Sequence, residues 1–221
     1  MLDQHPLVCR FGALGDMILL TPLLKRLYER SGKPVDIVAI GGWPAILFQH
    51  MPYVRHVYTI DSRKTPYILS PSKQRLAKQL KQHPYQFVWI CETKSVSYRI
   101  LKKAGINKHE SINALDSPAL TNEHFVAQWL RLSNLSPGGF EFPVVEANDS
   151  LLNTQLFVSR HEVDDCISWL KTRGIDPSAP LVCIQAGNKK TTRAGRVNRA
   201  NNTKYWHENN WSQLIDAITG Q

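Results

Sequence analysis

The apolar positions of this chain change period repeatedly, and the changes mark out alternating strands and helices. Residues 6–11, Pro-Leu-Val-Cys-Arg-Phe, form a short apolar run of the kind a buried strand needs. After a turn, Met17, Leu20, Leu24, Leu27 and Tyr28 recur at three and four residues, the period of one helix face. Val35–Ile40, Val54–Ile60 and residues 85–91 read as further strands, the last apolar enough to be central, with a weaker strand around 109–112. Between them the pattern predicts a short helix or irregular segment at 45–50. A helix over 73–82 follows, with Leu76 and Leu80 on one face, and another over 95–104 stops at Gly105. A further helix opens at Thr121-Asn-Glu-His124 and runs through Phe125, Val126, Trp129 and Leu130. Strands and helices alternating at these lengths imply a parallel sheet covered on both faces.

The pattern breaks at Ser136-Pro-Gly-Gly-Phe140, and residues 141–155 read as a linker or an edge element. A helix is expected over 163–171, stopping at Gly174. Pro177-Ser-Ala-Pro180 then leads into a new buried strand, Leu181-Val-Cys-Ile184, and a small-residue turn, Gln185-Ala-Gly-Asn188. Residues 189–202 are polar and basic without apolar periodicity and are expected to be a long mobile loop. A last helix carries Leu214, Ile215 and Ile218. The expected organisation is a complete domain over 1–150, a linker and connecting helix over 151–179, and the start of a second domain over 180–221. One strand and one helix cannot close a parallel sheet, so the second domain is expected to be truncated or completed by a partner.

The first strand-to-helix turn, Gly12-Ala-Leu-Gly15-Asp16, concentrates the candidate chemistry. Ligands of parallel sheets bind beyond the carboxyl ends of the strands, which is where this turn lies. Asp16 is therefore a candidate chemical residue. The alternative is a helix-start carboxylate, with Gly12 and Gly15 serving only backbone geometry or close approach. Pro22 falls about two turns into the same helix and cannot donate to the carbonyl of Ile18, so a kink is expected there.

Charge sharpens this picture. The chain is +9 overall, and residues 61–110 hold 11 Lys/Arg against 3 Asp/Glu, whereas residues 111–180 hold 4 against 9. The basic middle is either a solvated lysine-rich face or a surface for an anionic partner: phosphorylated lipid, a membrane or nucleic acid. No apolar run approaches the length of a membrane span, and residues 1–20 lack the order of a secretory signal. Cys9, Cys91, Cys166 and Cys183 are scattered and read as core thiols of a reducing compartment, with neither a disulfide framework nor a metal set.

Several familiar signatures are missing. The first turn lacks the third glycine of a dinucleotide fingerprint, and no acidic residue ends the second strand. There is no phosphate-binding G-x-x-x-x-G-K-[ST] loop, no G-x-S-x-G elbow and no zinc spacing among the eight histidines. No zinc finger, helical basic stripe or aromatic RNA-binding box supports a nucleic-acid partner, and none is expected.

Arg10-Phe-Gly-Ala-Leu-Gly-Asp16, followed by Ile18 and Thr21-Pro22, resembles the N-terminal signature of the ADP-heptose:lipopolysaccharide heptosyltransferases, bacterial glycosyltransferase family 9. His124 at its helix start also resembles that family. So, more weakly, do Ala186-Gly187-Asn188, Lys204-Tyr-Trp206 and Trp211-Ser-Gln-Leu214. The resemblance implies a GT-B architecture of two Rossmann-like domains, acceptor on the first and nucleotide sugar on the second. It implies an inverting transfer without a metal or cofactor, at the cytoplasmic face of the bacterial inner membrane. The donor would be an ADP-linked heptose or related sugar, and the acceptor a lipopolysaccharide core or similar anionic glycolipid.

Carried over residue by residue, Asp16 is the general base. Gly15 belongs to the close-approach turn and, with Arg10 and Lys94, to the acceptor side. Lys204 is carried over as a donor phosphate ligand; from residue chemistry alone, the turn at Gly187-Asn188 and Lys190 or Arg193 are further candidates for the diphosphate. Arg10 either meets an acidic acceptor or pairs with a carboxylate within the fold. Lys204 is either a phosphate ligand or an exposed lysine beside Trp206. The family's later acidic donor contact and glycine-rich G-G-x-T-G-x-x-H-like segment have no counterpart before Gln221. Residues 189–202 are also longer than the usual connection. The competing reading is a non-catalytic anion- or glycolipid-binding remnant of this fold, which a buried Asp16 paired with Arg10 would favour.

Overall fold

A computed structural model describes residues 5–83, 85–92, 95–107, 111–137, 153–186, 192–193, 196–197 and 205–220. The chain divides into two units, Met1–Arg160 and His161–Gln221.

Unit 1 is built on five parallel strands: β1 (Leu7–Cys9), β2 (Val35–Ile40), β3 (Val54–Ile60), β4 (Val88–Ile90) and β5 (Ile112–Asn113). Their spatial order is β3-β2-β1-β4-β5. The chain winds outward from β1 through β2 to β3, then crosses back to lay β4 on the other side of β1. Strand order thus reverses between β1 and β4, and the crevice beyond their carboxyl ends is where doubly wound sheets bind ligands. Every residue of β1 and β4 is buried, so both are central strands read as continuous apolar runs.

Alternation along β1 separates two cores. Val8 joins Met17, Leu24, Ile37, Trp89 and Trp129 on one face, while Leu7 and Cys9 join Val38, Leu76, Leu80 and Leu101 on the other. The first face is covered by α1 (Leu14–Ile18), α2 (Thr21–Ser31), α3 (Trp43–Phe48) and α6 (Phe125–Ser133). The second is covered by α4 (Pro71–Gln82) and α5 (Ser95–Lys103).

The expected kink at Pro22 is a full break. α1 ends after five residues, and α2 starts afresh at Thr21 with Pro22 in its first turn, where a missing N–H costs nothing. Thr21 Oγ1 donates to the Ile18 carbonyl at 2.9 Å, the partner Pro22 cannot supply, and accepts the Gln155 N–H at 3.0 Å. His124, singled out by resemblance, is the N-cap of α6, its Nδ1 accepting the Val126 N–H at 3.3 Å. At the far end of α6 the buried Arg30 donates to the carbonyls of Ser133 and Leu135, where a cation suits a helix C-terminus.

Unit 2 contains α7 (Arg160–Thr172, all but its first residue), a two-stranded antiparallel hairpin of β6 (Thr192–Arg193) and β7 (Arg196–Val197), and α8 (Glu208–Thr219). Two expectations fail here. Residues 181–184 are not a buried strand: they pair with nothing in a ladder, and Leu181, Val182 and Ile184 are 49%, 60% and 40% exposed. A strand needs a neighbour to satisfy its backbone, and among the described residues of unit 2 none lies alongside. The stretch 189–202 is not wholly irregular, since it holds the hairpin. The thiols also divide: Cys9 and Cys91 are buried, but Cys166 and Cys183 are exposed and not core residues. No described helix is long and apolar enough to cross a membrane.

Candidate active site

The site is the first strand-to-helix turn and what it touches. From β1 the chain runs through Arg10, Phe11 and Gly12 into α1. An added Cβ on Gly12 would stand 2.5 Å from the Asp16 Cβ and 3.2 Å from Arg10 Nε. The turn therefore closes on itself through Gly12, and the close approach expected of Gly15 belongs there. Around Gly15 nothing lies within 4 Å of a built Cβ.

Asp16 occupies the third position of α1. Its Oδ2 accepts the Ala13 N–H at 2.8 Å, and its Oδ1 lies 3.3 Å from Arg10 Nη2. The carboxylate is thus held by one backbone donor and one cation while its side chain stays 40% exposed. Both contacts fix its orientation at the helix start.

Arg10 is the hinge of the cluster. Its Nη1 donates to the Cys91 carbonyl at 2.8 Å and lies 3.9 Å from Glu92 Oε1, and its guanidinium sits over the Trp129 ring, 5.3 Å from the centroid. The structure thus engages Arg10 with carboxylates of its own fold. Its Nε is buried and has no hydrogen-bond acceptor among the described residues.

Glu92, two residues past the end of β4, was not anticipated from the sequence. It is 2% exposed. Oε1 accepts the Phe11 N–H at 2.6 Å, Oε2 accepts the Ser97 hydroxyl at 2.8 Å, and Arg63 Nη1 lies 3.6 Å from Oε2. Its carbonyl accepts the Tyr98 hydroxyl at 3.1 Å, and burial is the main cause that pushes the Tyr98 phenol well above its usual range. A buried carboxylate is tolerable only with such partners. The signal was present: Glu92 is the one acidic residue between Asp61 and Glu110, and it immediately follows an apolar run.

Asp16, Arg10, Glu92 and Arg63 thus form a charge-balanced chain across the carboxyl ends of β1 and β4, at the switch point. Chemically the arrangement offers one accessible, oriented base beside open space over Gly15. Among the described residues no cluster of His, Cys, Asp and Glu could hold a metal ion. Lys94, Gly187, Asn188, Lys190 and Lys204 lie outside the described residues, as does the Arg193 side chain.

Such a sheet, with its site at the carboxyl edge between β1 and β4, defines a Rossmann-like α/β protein. No family model and no curated protein matches the sequence. More particularly, the chain shares its fold with solved heptosyltransferases. ADP-heptose LPS heptosyltransferase II of E. coli superposes over 80% of this chain and 53% of its own, at 17% identity and TM-score 0.56. A glycosyl transferase family 9 protein from Veillonella parvula superposes over 80% and 51%, at 12% identity and TM-score 0.57. The E. coli heptosyltransferase WaaC with ADP superposes over 67% and 52%, at 15% identity and TM-score 0.50. The chain spans about half the length of each of these structures.

Proposed function

We propose that this chain carries the acceptor side of an inverting glycosyltransferase that moves a heptose or related sugar from an ADP-linked donor to an anionic lipopolysaccharide-core acceptor. The observation that carries the reading is Asp16: a carboxylate fixed by Ala13 N–H and Arg10, yet 40% exposed, at the switch point of the sheet. The shared fold with solved ADP-heptose and family 9 transferases supports it.

In the proposed reaction the acceptor hydroxyl, seated over Gly15, attacks the anomeric carbon from the face opposite the diphosphate. The new C–O bond forms as the sugar–phosphate bond breaks, the diphosphate leaves with the bonding electrons, and Asp16 takes the hydroxyl proton. A positioned carboxylate in this role contributes on the order of 10²–10⁴-fold. Negative charge near the sugar also favours the developing oxocarbenium. The leaving diphosphate needs cations or backbone N–H groups; the resemblance offers Lys204 for this, and the chemistry of the residues adds the turn at Gly187-Asn188 and Lys190. On this reading the enzyme would work at the cytoplasmic face of a bacterial inner membrane, as the resemblance implies.

The test is Asp16→Asn with an ADP-sugar donor and a lipopolysaccharide-core acceptor. Asparagine keeps the shape and an acceptor oxygen for Ala13 N–H, so acceptor binding stays within about twofold while transfer falls by roughly 10²-fold or more. An unchanged transfer rate refutes the assignment. The competing reading, a non-catalytic glycolipid-binding remnant, calls for an Asp16 both buried and paired with Arg10; the pair is present at 3.3 Å, and the 40% exposure of the carboxylate is what weighs against that reading.

A further inference from the structure

The turn between β3 and α4 has a character the transfer chemistry does not use. Tyr67–Leu69 form a single 3-10 turn whose tip holds Ile68 and Leu69, 83% and 70% exposed. Water is a poor solvent for two adjacent aliphatic side chains, yet the turn is built to hold them there. Gln74 Nε2 donates to the carbonyls of Tyr67 and Ile68 at 3.2 and 2.8 Å. The buried Lys73 donates its ammonium to the carbonyls of Arg63, at 3.1 Å, and Thr65, and the Ser72 hydroxyl accepts the Asp61 N–H at 3.1 Å. These bonds fix the backbone of the turn before anything binds it, which lowers the ordering entropy that opposes its burial.

Beyond Asp61 at the base of the turn, the charge along this segment has one sign. Residues 62–91 contain no Asp or Glu and six Lys or Arg. Lys64, on the turn, and Arg75 and Lys78, in the first two turns of α4, are all exposed. A pair of exposed aliphatic tips in a segment rich in exposed cations has the chemistry of an interfacial anchor, with apolar atoms for the acyl boundary and ammonium and guanidinium groups for anionic headgroups. We propose that this turn docks unit 1 on an anionic lipid bilayer. It emerges from the carboxyl edge of the sheet, the edge that carries Asp16, and Arg63 ties it to Glu92 at 3.6 Å. Docking therefore brings the candidate base to the lipid surface. The inference deepens the proposed function by naming the element through which the acceptor side meets the membrane.

The experiment is co-sedimentation with vesicles of phosphatidylcholine alone or phosphatidylcholine with phosphatidylglycerol. The protein is expected to partition onto the anionic vesicles and not onto phosphatidylcholine alone. Ile68→Asp/Leu69→Asp lowers partitioning at least about tenfold. Lys64→Gln/Arg75→Gln/Lys78→Gln lowers it by roughly fivefold per cation. All these side chains are exposed, so both variants keep the wild-type circular dichroism and unfolding midpoint. Ile68→Cys, labelled with an environment-sensitive dye in a Cys166→Ser/Cys183→Ser background, shifts to the blue on anionic vesicles. Anionic partitioning that survives Ile68→Asp/Leu69→Asp, a dye that stays in water, or equal binding to a DNA duplex overturns the proposal. Transfer to a deacylated, water-soluble acceptor is measured in parallel. Loss of vesicle binding with that transfer intact speaks to docking, and loss of that transfer with docking intact speaks against the enzyme reading.

Discussion

Gly12 and Gly15 stand three residues apart in one turn, and the structure predicts opposite outcomes for the same substitution. In Gly12→Ala the new methyl would sit 2.5 Å from the Asp16 Cβ and 3.2 Å from Arg10 Nε. Ordinary contact begins near 3.4 Å, so the start of α1 must move by roughly 1 Å, and neither neighbour can swing aside. Asp16 is tied to Ala13 N–H, and Arg10 is held by the Cys91 carbonyl under Trp129. Overpacking of this kind costs about 1–3 kcal/mol, and a displacement of that size at a reacting group costs on the order of 10²-fold in rate. In Gly15→Ala the methyl meets nothing within 4 Å and sits inside a helix. The expected effect is a gain of about 0.5 kcal/mol from helix propensity. If the acceptor seats over Gly15, transfer nevertheless falls, through KM. Urea unfolding of the two variants, with transfer assayed alongside, gives both answers. Equal stabilities for Gly12→Ala and wild type would refute the packing argument.

Thr21→Val removes the hydroxyl that serves the Ile18 carbonyl and the Gln155 N–H, at almost unchanged volume. It should cost about 1–3 kcal/mol in urea unfolding, while Thr21→Ser, which keeps the hydroxyl, should recover most of it. Burial pushes the Cys91 thiol up to about 12 and raises Cys9 also, whereas Cys166 and Cys183 are exposed. A thiol reagent should therefore titrate two cysteines promptly and the other two only as the protein unfolds. Hydrogen bonds from Arg131, then the Leu120 N–H, hold Glu123 down to about 2 from 4.5. Its folded value lies below its unfolded one, so its contribution is full above about pH 4.5 and is lost as pH falls toward 2. Stability measured across that window should fall less steeply in Arg131→Gln.

Periodicity and composition were enough for unit 1. Val35–Ile40 and Val54–Ile60 lie where the sequence places them: β2 is buried along nearly its whole length, while β3 is the edge strand and keeps Arg55 and His56 exposed between its apolar positions. The α/β class and the turn at Gly12–Asp16 follow from the same local signals: strand, glycines, then an acid at a helix start. Local signals were insufficient where the determinant was a distant residue. Pro22 announces a disturbance, but whether the helix bends or breaks depended on Thr21 supplying the missing donor and on residue 155 returning to meet it.

The two glycines look alike in the chain, and only the packing of Arg10 and Asp16 around Gly12 tells them apart. Glu92 lies 76 residues from Asp16, and they share a cluster because strand order reverses between β1 and β4. The run Leu181-Val-Cys-Ile184 has the composition of a buried strand and lies exposed, since a strand is a relation between segments and composition describes one segment at a time. What the residues could settle was each element's own preference for water or for its neighbours along the chain. Which elements meet, and so which carboxylate faces which arginine, was set by the winding of the sheet, where contacts join residues that no local pattern connects.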